Sequence, residues 1–177
     1  MGRRPQITVI GSNADHCTPQ AYELAYRVGQ EVARQGAILL TGGLGGVMEA
    51  ASKGAAESGG LAISVIPQDD PASANPHSSV VIATGIGFAR DFITAWSADA
   101  VIIVGGGIGT LIEAAAAYQK AKPLFAVMGS GGTADEWANR FLDHRHLVRI
   151  EGHADPHIAV AHALERIAQA SARAPRK

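Results

Sequence analysis

The chain has 177 residues, 47% of them hydrophobic and 18% charged, with a net charge of −1. That length suits one domain with a real core, and the near-neutral balance argues against a dedicated nucleic-acid binder, which carries a strong basic excess. The single Cys17 excludes an internal disulfide and suits a cytoplasmic setting, where a lone thiol is more often a small buried hydrophobe than a nucleophile.

The first predicted strand is "ITVIG", with no secretory leader pattern before it. Thr18 as N-cap and Pro19 in the first turn open a helix in which Leu24, Val28 and Val32 recur at helical spacing, and Gly36 ends it. The strand "AILLT" follows and leads into "GGLGGVMEAA", Gly42 to Ala51, at the start of a helix over Val47–Ser58. "LAISVI" is the third strand. "PQDDPASANPHSS", Pro67 to Ser79, reads as a surface loop near the C-terminal edge of the sheet. The strand "VVIAT" then runs into "TGIGFARDF" and a helix over Phe88–Ser97.

"AVIIVG" precedes "GGIGTLIEAA", Gly106 to Ala115, and a helix over Thr110–Ala121. The longest apolar stretch, around Ala100 to Ile112, is interrupted by glycines and too short to span a bilayer. "LFAVM", a helix over Ala134–Asp143, the strand "LVRIE" and a helix over His157–Ala170 after Pro156 complete the pattern. Most strands are apolar throughout, as strands buried on both faces are. Their alternation with helices predicts a single α/β domain over 1–170. It is Rossmann-like and doubly wound, a mainly parallel sheet of about seven strands with helices on both faces. The basic "SARAPRK", 171–177, reads as a flexible tail.

The two glycine segments share six of ten residues at an offset of 64, and each places a Glu four residues after the last shared glycine. Both follow strands at the carboxyl edge, where open α/β sheets bind ligands. Glycine lets backbone N–H groups approach an anion and the following helix end adds favourable partial charge; the plainer alternative is that the glycines only make tight turns. Neither loop reads GxxxxGK[ST], and Thr110 and Met48 stand where GxGxxG needs its last glycine, which argues against P-loop and standard dinucleotide chemistry. Arg90 falls near a helix N-terminus, where a cation is disfavoured by roughly 0.3–1 kcal/mol; either an anion lies beside it or a carboxylate such as Asp91 pairs with it. Glu49 reads as a macrodipole partner. Glu113 admits that reading too, or a role toward a ribose, a water or an oxocarbenium-like transition state.

His144 and His146, and His153 with His157, lack a recognised metal-ligand spacing and read as solvent-exposed loop residues; no metal and no cofactor are expected. There is no GxSxG elbow, and Lys53, Lys120 and Lys122 read as exposed helix residues rather than pyridoxal-phosphate lysines.

Together these segments resemble the LOG-like superfamily, small Rossmann-like proteins long mislabelled as lysine decarboxylases. The likeness runs from "ITVIGS" to about "LFAVM", and more loosely over "GSGGTADEW". In "GGGIGTLIE", Gly106, Gly107, Gly109, Thr110 and Glu113 match the PGGxGTxxE motif of that superfamily's phosphoribohydrolases, and Arg90 matches their upstream arginine. The resemblance implies Arg90 and Glu113 as catalytic residues cleaving the N-glycosidic bond of a nucleoside 5′-monophosphate. Ligand binding would fall to Gly11, Ser12, Gly42, Gly43, Gly45, Gly46, Gly106, Gly107, Gly109 and Thr110. Gly105 replaces the motif proline, Asp91 stands where the hydrolases usually have lysine, and "GF" replaces their Met and His. These departures resemble the molybdenum-cofactor carrier-like branch, whose members hold a pterin phosphate without turnover. The expected partner is thus a small phosphorylated nucleotide or pterin, with no nucleic acid and no membrane. The resemblance also implies a homodimer or higher homo-oligomer.

Overall fold

The computed structural model describes residues 3–173. Seven strands form one sheet: β1 (Gln6–Gly11), β2 (Ile38–Thr41), β3 (Leu61–Ile66), β4 (Val80–Ala83), β5 (Ala100–Val104), β6 (Leu124–Val127) and β7 (Ile150–His153). Their order is β4-β3-β2-β1-β5-β6-β7, and every neighbouring pair is parallel. The helices are α1 (Pro19–Arg34), α2 (Val47–Glu57), α3 (Arg90–Ser97), α4 (Ile108–Gln119), α5 (Gly132–Trp137) and α6 (Pro156–Arg173). This is the expected α/β, Rossmann-like architecture.

Side chains on one strand point alternately to the two faces, and here both faces are covered. Ile7, Val9, Leu39, Ile102 and Phe125 pack under α1, α2 and α6. Ile10, Val101, Ile103, Leu124 and Ile150 pack with Ala95, Ala114, Ala117 and Ala134 of α3, α4 and α5. That two-sided burial is why the strands read as continuous apolar runs. At the edge, β4 leaves Val80 and Ile82 exposed. No helix among the described residues is long and apolar enough to cross a membrane.

Local chemistry sets the element ends. Thr18 Oγ1 accepts from Ala21 N at 3.1 Å and caps α1 above Pro19, and Gly36 leaves the helix at φ +73°. The helix expected from Phe88 starts at Arg90, because Gly87 (φ +58°) opens a tight turn over Gly87–Ala89. The helix expected over Ala134–Asp143 ends at Trp137. Ala138 is extended and Asn139 adopts φ +65°, so Asn139 N donates to Ile150 O and its side chain accepts from Gly152 N. This bracket shifts the last strand from "LVRIE" to Ile150–His153. Helix α6 continues through Arg173, three residues into the stretch read as a tail; residues 174–177 of that stretch lie outside the described residues.

Helices α1 and α2 touch backbone to backbone. A Cβ on Gly29 would lie 2.0 Å from Ala51 O, and one on Gly54 would lie 2.0 Å from Tyr26 O. Gly29→Ala gains about 1 kcal/mol of helix propensity but forces two backbones apart, an overpacking cost of roughly 1–3 kcal/mol or more. The overlap wins because a carbonyl cannot rotate away. Thermal denaturation of Gly29→Ala is expected to show a melting temperature lowered by at least about 2–4 °C; an unchanged or raised value contradicts this packing.

Candidate functional site

Strand order reverses between β1 and β5, so the chain turns away from this point in both directions and leaves a crevice beyond the strand ends. A cavity of about 840 Å³ fills it. Its floor is the β1 end (Gly11, Ser12), the β5 end and α4 start (Gly105 to Thr110), and the loop Ser130–Gly132 after β6. Leu44, Met48, Phe88, Phe92, Ile108 and Ile112 supply apolar walls.

The second glycine loop opens toward this space. Gly105 (φ +60°) and Gly106 (φ +100°) take a left-handed backbone that favours glycine, and the chain then enters α4 with no side-chain cap at Gly107. The first N–H groups of α4 have no partner within the helix. A Cβ at Gly107 or Gly109 would meet nothing within 4 Å, so packing does not require glycine there; the small residues keep the approach open. Other parts of the loop are fastened to protein. Gly106 N donates to Ser12 Oγ and Gly105 N to Ser130 Oγ, both at 2.8 Å, while Thr110 packs beneath Gly106. Ser12 therefore lines the cavity while its hydroxyl braces β1 to the β5 loop.

The first glycine loop behaves differently. From it the cavity receives Leu44 and Met48, and none of Gly42, Gly43, Gly45 or Gly46 lines the wall. Their absent side chains serve close packing instead: a Cβ on Gly42 would lie 2.2 Å from Arg90 Nη1, and one on Gly46 would lie 2.5 Å from Ser12 O. Gly43 N donates to Thr41 Oγ1 and Val47 N to Ser12 O, which occupies donors a ligand would need. Asn75, from the expected surface loop, clamps this turn through Gly43 O and Leu44 O.

Arg90 and Glu113 meet in the cavity wall, 7% and 8% exposed. Arg90 Nη1 lies 3.9 Å from Glu113 Oε1, and Arg90 Nε lies 3.1 Å from Asp91 Oδ1. The second approach is short but misaligned, and both Nε and Nη1 of Arg90 are buried without a hydrogen-bond partner. A buried guanidinium short of partners is costly and calls for an acceptor. Burial, reinforced by the Asp91 charge and opposed by Arg90, raises the Glu113 pKa to about 8. Burial also raises Asp91, again against Arg90. Burial thus favours the protonated, neutral form of Glu113. Asp91, expected as one possible partner of Arg90, belongs to the cavity as well.

Asn13, His16 and Ser130–Gly132 also line the site without having been picked out from the sequence; only the "GSGG" string offered a signal for the last of these. Glu49 reaches toward the Gly45 turn and does not line the cavity. The histidines disperse. His157 Nδ1 sits 3.0 Å from Glu31 Oε1, whereas His153 ends β7, half-buried, and is not the exposed loop residue expected.

A doubly wound parallel sheet with a cavity at its switch point defines a Rossmann-like protein of the LOG type. The chain belongs to the SLOG cluster4 family, whose profile matches residues 4–170. An uncharacterized protein of Archaeoglobus fulgidus is 46% identical over 117 residues, 66% of this chain and 76% of its own length. Among solved structures, the molybdenum cofactor carrier protein of Chlamydomonas reinhardtii is 35% identical with a TM-score of 0.81, over 94% of this chain and 99% of that one. The molybdenum cofactor binding protein of Rippkaea orientalis is 32% identical with a TM-score of 0.78, over 94% and 98%.

Because Glu113 holds its proton in the folded chain up to about pH 8 but only to about 4.5 when unfolded, the folded state binds more protons between those values. Its contribution is complete below about 4.5 and is lost as pH rises through about 8. Glu113→Gln is expected to resist this loss, so its melting temperature should gain on that of the unsubstituted chain between pH 5 and pH 9. Parallel curves across that range would show that Glu113 is not a buried acid.

Proposed function

We propose that the protein binds a phosphorylated pterin-type ligand, such as molybdenum cofactor, and holds it in the cytoplasm without turning it over. The observation that carries this reading is the uncapped α4 terminus facing the same cavity as a buried Arg90 with two unpartnered guanidinium nitrogens. The helix end suits a phosphate. Arg90 and the protonated Glu113 offer donors to the carbonyl and ring nitrogens of a flat heterocycle, and the apolar walls suit its faces. The likeness over nearly the whole chain to a carrier and a binding protein for molybdenum cofactor supports the pterin over other phosphates.

Phosphoribohydrolase activity is the second reading, and the raised pKa of Glu113 favours it: a protonated buried carboxyl is suited to donate a proton to a departing base. Against it, Asp91 compensates the charge of Arg90 where the hydrolases carry a second cation. The two separate in one experiment. Gently purified protein, denatured and oxidised, is expected to release a fluorescent pterin in near-stoichiometric amount. Arg90→Ala, losing charge-assisted bonds worth about 1.5–3 kcal/mol, should retain roughly ten- to a hundredfold less. Release of ribose 5-phosphate from a nucleoside monophosphate at enzyme-like rates, with no pterin retained, overturns the carrier reading.

We further propose that a second copy of the chain covers α3 and α4. Phe88 (88% exposed), Ile108 (75%), Phe92, Ile93, Trp96 and Ile112 are exposed apolar side chains on or beside these two helices, a concentration of the kind that marks a contact surface. Phe88, Phe92, Ile108 and Ile112 also wall the cavity, so a partner seated there narrows its mouth. Ile112→Asp is expected to shift sedimentation toward the monomer and to weaken ligand retention together. A monomeric unsubstituted chain at micromolar concentration contradicts the pairing.

A further inference from the structure

At the far edge of the sheet, β7 and α6 bring together three side chains that the cavity does not use. Glu151 and His153 are two residues apart on β7 and so share the sheet face on which α6 lies. His162 comes from α6, its ring edge-on to His153 with centroids 4.7 Å apart, and His153 stacks on Phe125. One donor atom from each of Glu151, His153 and His162 lies within 4.8 Å of the other two. Among the described residues no other trio of His, Cys, Asp or Glu converges this way. His153 Nε2 is buried with no hydrogen-bond partner, an unsatisfied imidazole nitrogen in a half-buried polar cluster.

We propose that Glu151, His153 and His162 form a binding site for a divalent transition-metal ion of the zinc type, which fastens α6 to edge strand β7. Two imidazoles and a carboxylate are a borderline-soft set that suits zinc and its neighbours and not magnesium or calcium, which take oxygen donors throughout. Donors bound at about 2.0–2.2 Å in a tetrahedron sit roughly 3.3 Å apart, so side-chain rotation has to close the group by about 1.5 Å. Glu151 and His162 are only partly buried, which leaves them room to turn, and water takes the fourth position. One competitor is built in: Arg166 Nη2 donates to Glu151 Oε1 at 2.7 Å from an exposed side chain one helical turn beyond His162. A metal must displace that cation. The site stands apart from the ligand cavity, since none of the three residues lines it.

The test uses the untagged, chelator-stripped protein and zinc or cobalt chloride alone. Isothermal titration is expected to give one site with a Kd tighter than about 100 µM, and excess zinc should raise the melting temperature by about 5 °C, since metal binds the folded chain preferentially. Cobalt should give the intense visible absorption of tetrahedral coordination. His162→Gln and Glu151→Gln should each weaken binding at least tenfold while melting normally without metal. Arg166→Ala should tighten it, a gain that general damage to the fold would not produce, and His157→Gln should leave it unchanged. Binding weaker than about 100 µM, or affinity indifferent to His162→Gln and Glu151→Gln, overturns the assignment.

Discussion

The reversal of strand order at β1 and β5 governs the rest of the molecule. From β1 the chain winds outward through β2, β3 and β4; at β5 it returns to the centre and winds the other way through β6 and β7. At this centre β1 and β5 pair in parallel and their ends fit together tightly. A Cβ on Gly11 would sit 2.1 Å from Val104 O, so no larger residue fits, and Ser12 then bonds across to Gly106 N. The loops that leave these strands diverge, and the space between them is the cavity. Helix α4 points its N-terminus into it because α4 must begin where β5 ends.

That geometry sets the electrostatics. One guanidinium and two carboxyl groups are buried together at the wall, each separated from water. The arrangement is tolerable because Glu113 keeps its proton, leaving Arg90 and Asp91 as one opposite-charge pair. It is still incomplete, since Arg90 retains donors that nothing in the protein accepts. An unsatisfied cation therefore lies beside an uncapped helix end, and both leave donors that folding did not pair.

The near-duplicate glycine segments show how far local sequence reaches. In "GGIGTLIEAA" two of the glycines face open space at a helix entrance; in "GGLGGVMEAA" they face Arg90, Ile66 and the Asn13 backbone. Ten residues with six in common thus make an open, uncapped helix entrance in one place and a closed packing joint in the other. The difference lies in what the rest of the fold presses against each loop: Ser12 O and Asn75 close the first, while Ser12, Ser130 and Thr133 fasten the second from behind and leave Gly107 and Gly109 facing open space. Arg90 stood out as a cation against its helix dipole; its approach to Glu113 came from the fold. Strand runs were legible because buried β-residues leave local marks. The short α5, the shifted β7 and the Glu151–His153–His162 group were not, since they depend on Asn139 bonding a strand and on a helix from the chain's end.

By itself the sequence determined the α/β class, the strand and helix order, and the placement of both glycine segments at the carboxyl edge. These follow from periodicity and turn chemistry, which act over a few residues. Only the tertiary structure decided that Glu113 is neutral, that Arg90 lacks partners, and that one glycine loop faces the cavity while its double is sealed. Each of those depends on desolvation and contact between segments tens of residues apart, and burial is a property of the assembled fold that no short stretch of chain carries.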